Sequence, residues 1–531
     1  MLKRLISIAL VLTIALACFS AAQAATLRKG SRGSEVKKLQ NALKQIGYYS
    51  LKVDGVYGKG TVAAVKAFQK SKGLKADGIA GPKTQEKLYK SGTDTEPAKK
   101  TTKTSSDRLK MGDSGDAVKQ LQEKLWYLGY YTGSRSGNFN SATRTAVMNF
   151  QQAKGLTRDG IAGKKTLTAV DKAWNAAKKK AGSLPDEAAA LLNRIEAENR
   201  AVCGTLVLTK NGKTFLTWSF GGVSNKTCFR IASITKWVTA IGLMTLYDQG
   251  KLDLDRDISD YLPFKVRNPA YPKTPITARM LLSHTSSLLK NANKYKVNWE
   301  AIGSSYNPIF DEKVKPGTKY VYADYNGALF GCLIEAISKE SVQNYLNRTV
   351  FKPLGLTAAY SPNFLPSGTP TKDLLSKTGK VSISVAKDRQ ADYNNKADPR
   401  GNNGYTVGRL YINTESLTKL AQMMLNDGEL NGVRILKKKT VDLMEADQPK
   451  LAKSKYGLST VRHTQFPRGT WYGHQGRYSG LSSNVFYQPN TGITLALVMD
   501  GYNYKLVDNI VLPAVTLMEN MEMLDRVCNG K

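Results

Sequence analysis

The sequence predicts an α+β domain of roughly 345 residues, preceded by two small all-α modules. Three observations lead there. Residues 30–89 recur without a gap at 112–171. Strand-like runs sit at both ends of the C-terminal region, with helical patterns between them. Two polar stretches, 91–108 and 178–185, interrupt the chain where boundaries are needed. A length of 531 residues is too great for one typical domain and suits about three units.

In chain order, residues 1–24 come first and read as an export signal. Lys3 and Arg4 precede an apolar run, and Ala22-Gln23-Ala24 offers a small-x-small cleavage site. A secreted protein is therefore expected. The apolar run is too short for a comfortable membrane span. Of five cysteines, Cys203, Cys228, Cys332 and Cys528 follow this segment, and three fully paired connectivities are open to them. Cys332 lies in an apolar helical pattern, where a buried free thiol is expected. None of the four has the setting of a nucleophile.

The repeat defines the modules, 26–90 and 109–176, joined by a linker at 91–108. Gly30 falls on Gly112, Leu43 on Leu125, Phe68-Gln69 on Phe150-Gln151, and Asp77-Gly78 on Asp159-Gly160, a constant offset of 82. Within the first copy Val36, Leu39 and Leu43 recur at helical spacing. Thr61, Val65 and Phe68 mark a second helix, and Thr84 to Leu88 a third. This pattern resembles the peptidoglycan-binding modules of bacterial wall hydrolases. The resemblance implies three-helix bundles that dock on the wall. Ser136 replaces Asp54 and Asn140 replaces Gly58 in the second copy, so its first loop is expected to behave differently. The charge fits such a location: 78 Lys plus Arg against 42 Asp plus Glu gives +36. That field favours anionic wall polymers as partners. No aromatic-interleaved basic helix or zinc-knuckle spacing speaks for nucleic acid.

The remaining unit, 184–531, opens with a helical pattern over 186–200. Thr205 to Thr209 and Thr214 to Phe220 flank Asn211-Gly212, a hairpin signal. Ser483 to Tyr487 and Ile493 to Met499 flank a Pro-Asn-Thr-Gly turn, and a helical pattern over 511–523 closes the chain. Between them Phe229-Arg-Ile-Ala-Ser-Ile-Thr-Lys leads into an apolar helix ended by Gly250. If Ser233 opens that helix, Lys236 lies one turn on and on the same face. A serine needs such a neighbour to lose its proton.

Ser-x-x-Lys alone is common by chance, so its context matters. It is followed by Leu281-Leu282-Ser283-His284-Thr285, Pro316-Gly317-Thr318-Lys319-Tyr320-Val321-Tyr322, and Tyr472-Gly473-His474-Gln475-Gly476. In this order the segments resemble the serine beta-lactamase and penicillin-binding-protein family, in its class C-like branch of D-alanyl-D-alanine carboxypeptidases and related esterases and peptidases. The resemblance implies a beta-lactamase-like fold and a Ser233 acyl-enzyme. Lys236 assists deprotonation, and Tyr322 is the general base, acidified by the lysine. The N–H groups of Ser233 and Arg477 hold the oxyanion. His474 and Gly476 lie on the strand beside the substrate, with His474 in the cationic position. His284 reads as a loop-holding residue, and Ser287 stands where the family commonly has glycine.

Asp324 departs from the family's asparagine. An ionised carboxylate accepts hydrogen bonds but cannot donate them. It is expected to pair with Lys236, leave base duty to Tyr322, turn substrate choice towards a free amine and weaken beta-lactam hydrolysis. The implied substrate is the D-Ala-D-Ala end of a peptidoglycan stem or a cross-link, with beta-lactams as covalent inhibitors or substrates. A beta-lactamase, esterase or D-aminopeptidase on the same fold stays open, as does a silent wall-binding or penicillin-sensing protein. No cofactor or metal is expected: His284, His463 and His474 are the only histidines, and none has zinc-site spacing.

Overall fold

The computed structural model describes residues 26–45, 48–49, 53–90, 108–289, 309–391, 395–400, 404–448 and 456–530. The export signal and nearly all of the 91–108 linker lie outside them. The chain forms two compact units, 1–197 and 198–531.

In the first unit each module has three helices. Module 1 contains α1 (Ser34–Gln45), α2 (Lys59–Ser71) and α3 (Pro82–Lys90). Module 2 contains α4 (Asp116–Tyr127), α5 (Ser141–Ala153) and α6 (Lys164–Ala181). The periodic apolar residues Val36, Leu39, Leu43, Val65 and Phe68 form the first core. A buried glutamine organises each turn. Gln69 donates to Asp77 at 2.8 Å and to Thr84 at 3.2 Å, while its carbonyl accepts from Gly78 N–H. Gln151, Asp159, Thr166 and Gly160 repeat those contacts. Gln40 does the same with Asp54, Thr61 and Gly55. In module 2 Gln122 keeps Thr143 and Gly137, and Ser136 supplies only a 3.3 Å turn contact. Asn140 compensates locally: its side chain accepts from Thr143 N–H and caps α5, a bond Gly58 cannot make.

Helix α6 runs to Ala181, so Lys178 to Lys180 lie inside it and not in a boundary segment. Helix α7 (Asp186–Asn199) was expected to open the second domain. Its middle packs on module 2: Asn193 donates to Tyr127 O at 2.8 Å, and Gly129 lies against Arg194 where no Cβ fits.

The second unit is built on a six-stranded antiparallel sheet. Its strands are β1 (Cys203–Lys210), β2 (Lys213–Phe220), β3 (Val461–His463), β4 (Trp471–Tyr478), β5 (Leu481–Gln488) and β6 (Ile493–Asp500), in the spatial order β3-β4-β5-β6-β1-β2. Early and late segments of the second unit thus share one sheet. Asn211 and Gly212 take φ of 48° and 80°, the turn the hairpin signal required. Helix α8 (Ile234–Asp248) packs on β4 and β5, next to α9 (Asp324–Ser338). Apart from its C-terminal end α8 is buried all round, as its unbroken apolar composition demands. Helix α10 (Thr414–Leu425) lies across β1, β5 and β6. After α11 (Lys438–Glu445), the single C-terminal helix expected over 511–523 is two, α12 (Leu512–Glu519) and α13 (Met521–Asn529), broken at Asn520. Among the described residues Cys203, Cys228, Cys332 and Cys528 form no disulfide, and Cys332 is buried as expected.

Glu445 accepts from the Tyr487 hydroxyl at 2.7 Å, and burial pushes its carboxyl up to about 7 from 4.5. The folded state therefore holds a proton that the unfolded chain releases, and stability is lost as pH rises from about 4.5 to 7. Glu445→Gln cannot ionise. Its melting temperature should gain on the native protein progressively across that window, whereas a constant difference would show that Glu445 does not titrate there.

Candidate active site

Ser233 sits at the N-cap of α8, yet its side chain makes no capping bond, so the hydroxyl is not spent on the helix. The residue before it, Ala232, is held at φ 49°, a conformation disfavoured for a residue with a Cβ. Lys236, one turn on, is wholly buried. Its ammonium has three acceptors: Ser233 Oγ at 3.1 Å, Val407 O at 2.8 Å and Asp324 Oδ1 at 2.7 Å. Tyr322 is a further hydrogen-bond partner of the same ammonium. Burial favours the neutral amine, but the neighbouring Tyr322 and Asp324 outweigh it and raise the lysine above its ordinary value.

Helix α9 shapes this pocket twice. Asp324 is its first residue, and Gly327, three on and on the same face, lies against the lysine stem. A Cβ at Gly327 would come within 2.8 Å of Lys236 Cγ. Thr406 Oγ1 donates to Gly327 O at 2.8 Å and ties the short helix Tyr405–Gly408, the source of the Val407 carbonyl, to α9.

Tyr322 lies against the lysine, whose nitrogen is 5.5 Å from the ring centroid, and stacks on His284 at 4.3 Å. His284 is buried, and its Nδ1 accepts from Ala323 N–H at 3.2 Å and from the Asn326 amide at 2.8 Å. These bonds leave the ring proton on Nε2 and make His284 a support for the Tyr322 segment. Burial, then the Lys236 charge, lowers its basicity well below the ordinary range. Ser287 has φ 62°, in the left-handed region where glycine is favoured, and its hydroxyl accepts from Asn268 at 3.0 Å.

Strand β4 closes the site. A Cβ on Gly476 would lie 2.2 Å from Ile231 O and 3.0 Å from Ser233 N, so only glycine lets the strand reach the nucleophile. Ser483 on β5 donates to Ile231 O at 2.7 Å and fixes the same segment. Arg477 follows, its guanidinium donating to Asn509 Oδ1 at 3.1 Å. The cation expected at His474 is not there. The ring is buried, Nε2 bonds the Tyr456 hydroxyl at 3.0 Å, and Nδ1 donates to Gln475 O at 2.8 Å. Burial and the Lys236 charge lower it to about 3, so it is neutral.

Ser233, Lys236, Tyr322 and Asp324 are therefore brought together, with the Gly476 backbone against Ser233 and a neutral His474 behind Tyr456. Val407, Gly327 and Tyr456 were missed by sequence reasoning. Gly327 alone carried a signal, its helical spacing from Asp324. Among the described residues no group of three or more His, Cys, Asp or Glu could hold a metal ion.

Residues 188–508 match the family model for beta-lactamase, and residues 32–88 and 114–170 each match that for the peptidoglycan binding domain. Among curated proteins, the chain is 37% identical over 156 residues to N-acetylmuramoyl-L-alanine amidase CwlL of Bacillus licheniformis, covering 26% of this chain and 43% of that protein. It is 28% identical over 170 residues to Protein flp of Staphylococcus aureus strain N315, covering 29% and 33%. The chain thus spans less than half the length of these curated relatives. An octameric penicillin-binding protein homologue from Pyrococcus abyssi shares the fold, with TM-score 0.50 and 20% identity over 64% of this chain and 76% of that one.

Proposed function

This chain belongs to the beta-lactamase family and carries two peptidoglycan-binding domains, and from that premise we propose that it is an exported, wall-associated serine hydrolase working through a Ser233 acyl-enzyme. One observation carries the reading. A hydroxyl released from helix capping lies 3.1 Å from a buried ammonium that Val407, Asp324 and Tyr322 also hold. A lysine held in its charged form has no lone pair to act as a base, so Lys236 orients the hydroxyl and stabilises negative charge. Tyr322, beside that ammonium, is the general base that takes the Ser233 proton and passes it to the leaving amine. Ser233 Oγ bonds the acyl carbon as the amide C–N bond breaks. Water then repeats the sequence, and the acyl group leaves as a carboxylic acid. The Ser233 and Arg477 N–H groups hold the oxyanion.

Two wall-binding domains on the same chain raise the local concentration of wall peptides at the site. This supports peptidoglycan stems as substrate, cut at D-alanyl-D-alanine as a carboxypeptidase or at a cross-link as an endopeptidase. The test is digestion of purified peptidoglycan with product analysis. The native protein should release D-alanine or split cross-linked muropeptides, and Ser233→Ala should release neither. Products that persist with Ser233→Ala, or intact peptidoglycan with native protein, would reject the reading.

A further inference from the structure

The Lys236–Asp324 pair presents only one of its charges to solvent. The lysine side chain has 0% exposure and the aspartate 29%. Both Ser233 Oγ and Asp324 Oδ1 lie within hydrogen-bond reach of the same nitrogen, which places them at most about 6 Å apart. Among the described groups around this point, the two active-site histidines and Tyr456 add no exposed charge. His474 and His284 are buried and neutral, and Tyr456 is buried. The Arg477 guanidinium, partly exposed and bonded to the neutral Asn509 Oδ1, is a cation on the β4 side of the site. A substrate whose carbonyl carbon approaches Ser233 therefore meets a carboxylate beside its acyl residue.

That carboxylate separates substrates by charge. It accepts from an ammonium and repels the oxygen of an acylated amine, because it has no hydrogen to offer a carbonyl. An α-nitrogen lies roughly 2.5 Å from its own carbonyl carbon, two bonds away, so an α-ammonium on the acylating residue can reach Asp324. The side-chain ammonium of a diamino acid one residue back can reach it as well. Resting on the Ser233 acyl-enzyme, we propose that Asp324 selects acyl donors bearing a free ammonium next to the scissile bond: an unblocked amino-terminal residue, or a stem peptide whose diamino acid is not cross-linked.

Two substrate pairs separate these sources. One is D-alanyl-p-nitroanilide against its N-acetyl form. The other is a pentapeptide ending in Lys-D-Ala-D-Ala, with its lysine side chain free or acetylated. The native protein should prefer the free amine at least about tenfold in kcat/KM in one pair, and which pair does so identifies the ammonium. Asp324→Asn keeps the size but not the charge and should bring that ratio close to one. Labelling of Ser233 by a fluorophosphonate in both proteins shows that each is folded and has a competent nucleophile. Failure to label in the native protein would sink the acyl-enzyme reading itself. With labelling intact, ratios near one in the native protein, a ratio unchanged by Asp324→Asn, or no turnover of either pair would overturn the proposal.

Discussion

Gly476→Ala should lower kcat/KM on any substrate by at least about a hundredfold, the scale of losing one oxyanion donor. The added methyl would lie 2.2 Å from Ile231 O, 2.4 Å from Ser483 Oγ and 3.0 Å from Ser233 N. Two of these neighbours are backbone, and Ser483 is committed to Ile231, so none can yield cheaply. Strand β4 must back away from the nucleophile, and the Arg477 N–H moves with it. The sheet has seven paired positions between β4 and β5 to hold it, so the fold should survive. A reporter ester and a melting curve check this together. Rates that match the native protein's would show that β4 does not form the wall of the site.

Lys236→Met should be more damaging, by about a thousandfold or more in kcat/KM, because it removes the charge that orients the Ser233 hydroxyl and holds Tyr322 beside it. It also leaves Asp324 and Val407 O without their partner. Breaking a buried pair costs about 3–5 kcal/mol. Asp324 is partly solvated, so the stability loss should fall below that range. Measured kcat/KM and chemical denaturation separate the two effects. A large drop in stability with little change in rate would make Lys236 a structural residue only.

Much of this arrangement was legible where the signal is local. The Asn211-Gly212 hairpin and the Ser233-to-Lys236 spacing depend on residues a few positions apart, the constant offset between the modules is a repeat visible by direct comparison, and the structure contains all three. The Asp324 to Lys236 ion pair was also foreseen, since a carboxylate placed beside a buried ammonium has one obvious partner. What escaped depends on burial set by distant chain. His474 is neutral because Tyr456 and the sheet exclude water from its ring. A histidine between Gly473 and Gly476 on a strand does not announce that in sequence. The Val407 carbonyl is a backbone atom and leaves no mark on residue type. The helix expected to run over 511–523 contains Asn520, whose side chain bonds back to Thr516 O at 2.7 Å. That local bond gives the backbone an alternative to continuing the helix.

The most direct test of the central claim is the intact mass of the purified protein after reaction with a fluorophosphonate, followed by peptide mapping. The account predicts one adduct per chain, on Ser233, absent from Ser233→Ala and strongly slowed in Lys236→Met. An adduct on another residue, or equal labelling of native protein and Ser233→Ala, would contradict it.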